Sequence, residues 1–350
     1  MDSGLALEIS GSQLYGPVLA GSSFSAQFAW NGSQAVGMNP RFFNRGRISC
    51  QQLPIQLSQR VWRLGTYHLA VYLVRGDAES LLFEVGISST APLVLAQLDE
   101  LGVSKEEIRY VVLTHAHADH AAGQARLMAA LPRAELVMSR ASLRHLSKPE
   151  TALRFRDEEV FTSSVIMDPT SIKGLPRGSA PEALSESMLI KDPGASIVLD
   201  GMELNLLGAE GHVPGGLVGW LPAEGVLLAS DSAGFCSLGQ PAFPLNFVSY
   251  TDYQSNLVKQ KSLNPETLGL GHQDCFAGPA ASQYLERAIE QQAKEHQGIM
   301  AGIKAGRDKE ALAQDIYERY YHDELAIYPP DTIMNCCRLL VRRSLEHEED

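Results

Sequence analysis

The stretch Thr114-His115-Ala116-His117-Ala118-Asp119-His120 packs three imidazoles and a carboxylate into six positions. These are the side chains that bind divalent metals of intermediate softness. With 10 His among 350 residues, an accidental His-x-His-x-Asp-His is expected in only about 4 of 10,000 chains of this composition, so the spacing asks for a chemical reason. Three further candidates follow: His212 in Gly211-His-Val-Pro-Gly215, Asp231 after Gly225-Val-Leu-Leu-Ala-Ser230, and His272 after Leu268-Gly-Leu-Gly271. Seven ligands exceed what one four- or five-coordinate ion uses. Two adjacent divalent ions are implied, and the two oxygens of Asp231 could bridge ions about 3.5–4 Å apart. Such a pair lowers the pKa of a shared water, and the resulting hydroxide, oriented by Asp119 as the catalytic candidate, could attack a polarised carbonyl. Zinc suits the His-rich set, with iron or manganese as alternatives.

The elements that must position these residues are legible around them. Arg109-Tyr-Val-Val-Leu-Thr114 is an apolar, β-branched run that reads as a buried strand, preceded by a capping box at Ser104-Lys-Glu-Glu107. Good helix formers fill 121–131, so the cluster spans a strand-to-helix loop. Alternation there turns His115 and His117 one way and lets Asp119 and His120 face a second position. Downstream, 196–200 and 202–208 read as strands joined at the hairpin dipeptide Asp200-Gly201. Asp231 and His272 each follow a short apolar run, as expected of ligands gathered on one edge of a sheet structure.

At these residues the chain resembles the metallo-β-lactamase superfamily over roughly residues 60–280. The resemblance implies an α+β fold, a four-layer αββα sandwich with the site at one edge. It also implies His115, His117 and His212 around a first metal, Asp119, His120 and His272 around a second, and Asp231 bridging. His117 stands where the oxygen-reducing diiron branch has an acidic residue, which supports hydrolysis. Leu82-Phe-Glu-Val-Gly86-Ile-Ser88 and a helical C-terminal extension are similar to the quinolone-signalling (2-aminobenzoylacetyl-CoA) thioesterase branch. Gly216 replaces the second His of glyoxalase-type thioesterases, and Gly234 replaces a Tyr common in acyl-homoserine lactonases. The expected activity is therefore hydrolysis of an acyl-CoA or acyl-carrier thioester. A lactonase or other ester hydrolase is the alternative, and a non-catalytic regulatory protein with a retained metal site is the alternative of another class.

Length, 45% hydrophobic and 20% charged content suit one large domain with additions. Its expected parts are an N-terminal extension (1–60), a catalytic domain (61–280) with a loop insertion around 147–195, and a C-terminal helical extension (281–350). Helices are predicted at about 281–297, 308–322 and 331–346, broken at Tyr328-Pro329-Pro330. A formal net charge of −12 argues against a nucleic-acid partner. Arg140, Arg144, Lys148, Arg154 and Arg156 read as a solvated helix face, or as a patch for an anionic handle such as the phosphates of coenzyme A. No apolar run reaches the 18 residues of a membrane span, and the start lacks a secretory pattern. A cytoplasmic location, no membrane partner and free thiols for the five cysteines are expected. Phe235, Phe243, Phe247, Tyr250 and Tyr253 surround the stretch after Asp231 and would suit an acyl or aromatic substrate. Leu312, Ile316, Tyr320, Leu325 and Ile333 give the C-terminal helices apolar faces, for a lid over the site or a homodimer interface.

Overall fold

Residues 46–167, 187–237 and 240–349 are described by a computed structural model. Short runs that are apolar on both faces can be buried on both sides only within stacked layers. Here they form two seven-stranded sheets. The first runs β2 (Ile55–Gln56), β3 (Val61–Gly65), β4 (Ala70–Arg75), β5 (Ser80–Phe83), β6 (Ile108–Val112), β7 (Glu135–Met138), β8 (Met188–Ile190). The second runs β1 (Arg47–Ile48), β14 (Cys275–Ala277), β13 (Thr267–Leu270), β12 (Val226–Ser230), β11 (Leu217–Leu221), β10 (Met202–Gly208), β9 (Ser196–Leu199). Pairing is parallel from β5 to β8 and between β12 and β13, and antiparallel elsewhere.

The period-2 alternation of strands sorts side chains into layers. Val226 and Leu228 of β12 face Tyr72, Val74, Phe83 and Val112 of the first sheet, whereas Leu227 and Ala229 pack outward against Tyr253, Leu257 and Leu285. In β4, Val71 and Leu73 point the other way, toward Val94, Leu98 and Leu127. The outer layers are α1 (Ala91–Glu100), α2 (Ala118–Ala121), α3 (Gln124–Ala130), α4 (Arg140–Leu146) and α5 (Pro149–Ile166) on one side. On the other lie α6 (Tyr250–Ser262), α7 (Pro279–Lys304), α8 (Lys309–Tyr320) and α9 (Pro330–Glu349). Three apolar cores thus lie between four layers, the αββα sandwich expected from the sequence.

Several local readings hold in detail. Ser104 and Glu107 form the capping box, and Asp200 and Gly201 both take positive φ, at 49° and 77°, as a two-residue hairpin turn requires. The single helix expected over 121–131 is interrupted at Gly123, whose N–H donates to the Gly86 carbonyl (2.9 Å). A side chain there would lie 2.4 Å from the Val85 carbonyl oxygen. The loop expected around 147–195 begins with α5, which starts at Pro149 in the first helical turn. The Asp168–Gly178 stretch of that insertion lies outside the described residues. Of residues 1–60, those from 46 onward supply β1 and β2 to the edges of the two sheets. The apolar residues named for the C-terminal helices, Leu312, Ile316, Tyr320, Leu325 and Ile333, are all 5% exposed or less and share one core with β12 and β13. They hold the outer layer to the sheet. No helix among the described residues is long and apolar enough to cross a membrane.

Candidate metal centre

Four strand ends at one edge of the sandwich deliver the seven candidate residues. Beyond β6 come His115, His117 as the N-cap of α2, and Asp119 and His120 within α2. His212 follows β10, Asp231 follows β12 and His272 follows β13. Ser230 turns the chain into Asp231 with φ at 51°, a left-handed conformation that a serine adopts only when its surroundings enforce it. Gly271 admits the cluster, because a methyl group there would lie 2.5 Å from Asp231 Oδ1 and 3.0 Å from His120 Cε1.

The atoms fall into two sets. His115 Nε2 lies 3.1 Å from His117 Nδ1 and 3.4 Å from His212 Nε2, and Asp231 Oδ2 is 3.8 and 3.6 Å from the His115 and His212 nitrogens. In the second set, His120 Nε2 is 3.3 Å from His272 Nε2 and 3.3 Å from Asp119 Oδ2. Asp231 Oδ1 is 3.3 and 3.0 Å from those two nitrogens. Each oxygen of Asp231 therefore serves one set. Ligands about 2.0–2.1 Å from a tetrahedral ion stand roughly 3.4 Å apart, so both sets have the size of a coordination polyhedron.

Hydrogen-bond partners around the rim decide which lone pairs point inward. His212 Nδ1 donates to the Leu245 carbonyl (2.8 Å), and His272 Nδ1 to the His68 carbonyl (2.7 Å). His120 Nδ1 meets Glu84 Oε2 at 3.0 Å. The Thr114 hydroxyl donates to Glu84 Oε2 (2.8 Å), which leaves its oxygen to accept from His115 Nδ1 (3.0 Å). With every Nδ1 proton so engaged, the Nε2 atoms of His115, His120, His212 and His272 face one another as lone pairs. That arrangement is repulsive unless cations lie between them. Asp231 Oδ1 accordingly has no hydrogen-bond donor although it is buried, and three carboxylates, Glu84, Asp119 and Asp231, reach the same imidazole of His120. Two divalent cations would come close to balancing those three charges; burying them unbalanced is prohibitive.

The titration behaviour follows from the same crowding. Burial and the neighbouring His120 and His117 push His115 well below the ordinary imidazole value. Burial and His212 bring His117 down to about 3. His120 goes the other way, since burial is outweighed by the charges of Asp119, Asp231 and Glu84. Burial would raise Asp119 and Asp231, but His120 and His272 hold both below the ordinary carboxylate range. A proton on His120 is a partial substitute for a cation in one set and none for the other.

The sequence reading missed two residues that touch this centre. Glu84, fully buried with φ at 81°, fastens both sets from behind through Thr114 and His120. Its signal was available, since it is the only charged residue in the apolar run Leu81–Ile87. Tyr328 donates its hydroxyl proton to Asp119 Oδ2 at 2.6 Å. Their separation of 209 positions left no local signal. Of the aromatic residues noted after Asp231, Phe235 packs on the His272 ring (centroids 4.8 Å) and Phe247 on His212 (5.4 Å) and His117 (6.4 Å). Tyr253 donates to the Asp231 carbonyl (3.2 Å). Phe243 packs on Tyr320, and Tyr250 on His296 and His347, within the helical layer. Burial raises the Cys236 thiol to about 11, which disfavours the thiolate that a nucleophile needs. All five cysteines are free. Arg140, Arg154 and Arg156 pair with Asp192, Glu158 and Asp157, as a solvated helix face does.

A family model described as the metallo-beta-lactamase superfamily matches residues 67–272. The chain belongs to that superfamily. Among curated relatives it is 24% identical over 259 residues to the beta-lactamase-like protein 2 homolog of Caenorhabditis elegans, covering 72% of this chain and 70% of the relative. It is also 24% identical over 249 residues to an uncharacterized protein of Bacillus subtilis (strain 168), covering 67% and 97%. Among solved structures, a metallo-beta-lactamase family protein from Thermus thermophilus superposes with a TM-score of 0.56 at 19% identity, over 80% of this chain and 89% of that one. The native metallo-beta-lactamase from Legionella gormanii gives 0.52 at 16%, over 71% and 97%. These structures establish the shared fold. Family and site together make the protein a metal-dependent hydrolase of the metallo-beta-lactamase superfamily, with buried His/Asp clusters consistent with a dinuclear centre.

Proposed function

We propose that the protein hydrolyses an acyl thioester carrying an apolar or aromatic acyl group, in the manner expected of an acyl-CoA or acyl-carrier thioesterase. Two divalent ions held by the seven residues would supply an activated water and polarise the carbonyl oxygen. Asp119 turns Oδ2 to the second set, which leaves Oδ1 to orient the attacking water. The observation that carries the substrate class is the pair of half-buried aromatic walls. Phe247 stands beside the first set, and Tyr328 beside the second, edge-on to Phe235 (6.0 Å) and His272 (6.1 Å). A planar or extended acyl group fits between such walls better than a sugar. The leaving group agrees, because a thiol with a pKa of about 8–9 departs without a strong general acid, and the histidines here are turned toward the ligand sets.

A second reading is lactone or ester hydrolysis. The Tyr328 phenol beside the second set would serve it in place of the Tyr that Gly234 replaces, provided a lactone carbonyl took over the hydrogen bond now made to Asp119. The test is turnover of the metal-loaded protein on benzoyl-CoA, a long-chain acyl-CoA, an acyl-homoserine lactone, a β-lactam and a phosphodiester. Thioesters should exceed the others at least tenfold in kcat/KM, and Asp119→Asn should lower kcat far more than it raises KM. A lactone or phosphodiester as the best substrate would refute the thioesterase reading. No turnover on any substrate at full metal loading would favour a regulatory protein.

A further inference from the structure

We infer that Tyr328, carried by the C-terminal segment, is a positioning residue for the second ligand set alone. Its hydroxyl is 2.6 Å from Asp119 Oδ2 and 3.4 and 3.5 Å from His272 Nε2 and Nδ1. It therefore sits between two members of that set. The short contact is that of a charge-assisted O–H···O⁻ bond, about 2.5–2.7 Å. The single phenolic proton goes to Asp119, because His272 Nδ1 is itself the donor to the His68 carbonyl.

The segment is built to hold that hydroxyl still. The Tyr328 carbonyl accepts from the Tyr321 hydroxyl (2.9 Å), and Pro329-Pro330, at the start of α9, fixes the following φ angles. On the other side, the short 3-10 turn Asp323–Ile327 is tied to the loop between β3 and β4 by Tyr67 Oη donating to Glu324 Oε1 (3.2 Å). The ring rests edge-on against Phe235 and His272. A hydroxyl fixed in this way pins the rotamer of Asp119 and occupies a lone pair of its ligand oxygen. Partners of this kind typically set metal affinity or activity by 10- to 100-fold. Glu84 braces both sets through Thr114 and His120, whereas Tyr328 braces one set from the C-terminal segment, so the two ions should differ in their dependence on that segment.

The inference rests on the two-ion reading, and the experiment separates the two. Full-length wild type and Tyr328→Phe are titrated with Co²⁺, read by visible absorption and equilibrium dialysis, and assayed on benzoyl-CoA or the best substrate found. Phenylalanine keeps the ring contacts, so the melting of the chelated proteins should coincide. In Tyr328→Phe the first Co²⁺ should bind as in wild type and the second about tenfold or more weakly, with kcat reduced and KM within about twofold. A second affinity within twofold of wild type overturns the role, and so does equal weakening of both. A wild type that takes up a single Co²⁺ overturns the two-ion reading itself.

Discussion

Glu84→Gln tests whether the buried carboxylate behind the centre sets the strength of both sites. Glu84 Oε2 accepts from Thr114 Oγ1 at 2.8 Å and from His120 Nδ1 at 3.0 Å. Thr114 passes its orientation to His115 in the first set, and His120 belongs to the second. Glutamine preserves the shape and one accepting oxygen but removes the charge. A hydrogen bond to a charged group contributes about 1.5–3 kcal/mol and a neutral one about 0.5–1.5, so each of the two bonds weakens by about 1 kcal/mol. With one bond behind each set, the loss of about 1 kcal/mol per site corresponds to roughly fivefold in each ion's affinity, or about 30-fold in their product, at about 1.4 kcal/mol per tenfold. Zinc competition against a chromophoric chelator at fixed pH measures it, with circular dichroism melts of the chelated proteins as the control for folding. Both ions should weaken, in contrast to Tyr328→Phe. Affinities that stay within threefold of wild type in both sites would show that Glu84 merely fills space.

Gly271→Ala should reduce metal stoichiometry below two, since the added methyl would stand 2.5 Å from Asp231 Oδ1; elemental analysis after reconstitution checks this, and two retained ions would contradict it. Ile316→Ala, in a side chain 2% exposed within the core shared by α8 and β12, should cost about 2–5 kcal/mol and lower the melting temperature without reordering substrates. A changed ranking at unchanged stability would show instead that these helical faces line the pocket.

The seven candidate ligands, which the structure brings together at one edge, were legible as a group because their signal is local and chemical. His115 to His120 lie within six positions, and His212, Asp231 and His272 each sit just past an apolar run that could be only a buried strand. The sandwich was readable through its strands and turns, as at Asp200-Gly201. What escaped depended on distant partners. Propensity makes 121–131 one helix, but the Gly86 carbonyl captures the Gly123 N–H and splits it. The apolar faces of α8 and α9 were visible as faces, but their burial against β12 and β13 is set by topology. Tyr328 sits before a Pro-Pro break that reads only as punctuation, and its role exists because the chain returns to the metal edge after a long excursion.

The pairing of β1 with β14 has a consequence for the order in which the molecule can be made. Arg47 and Asp274, which form an ion pair across that strand junction, are 227 residues apart. Chain elongation at about 5–20 residues per second takes roughly 10–45 seconds to cover that distance. Throughout that interval the completed first strand waits for an edge that has not been synthesised. When the second sheet does form, β14 is an open edge until β1 is laid on it, and an open edge is a template for foreign strands. The stretch from His115 to His272 lies wholly between the two ends of this closure. Convergence of the seven candidate ligands therefore waits for the chain to be made as far as His272, and the closing strand pair comes after it.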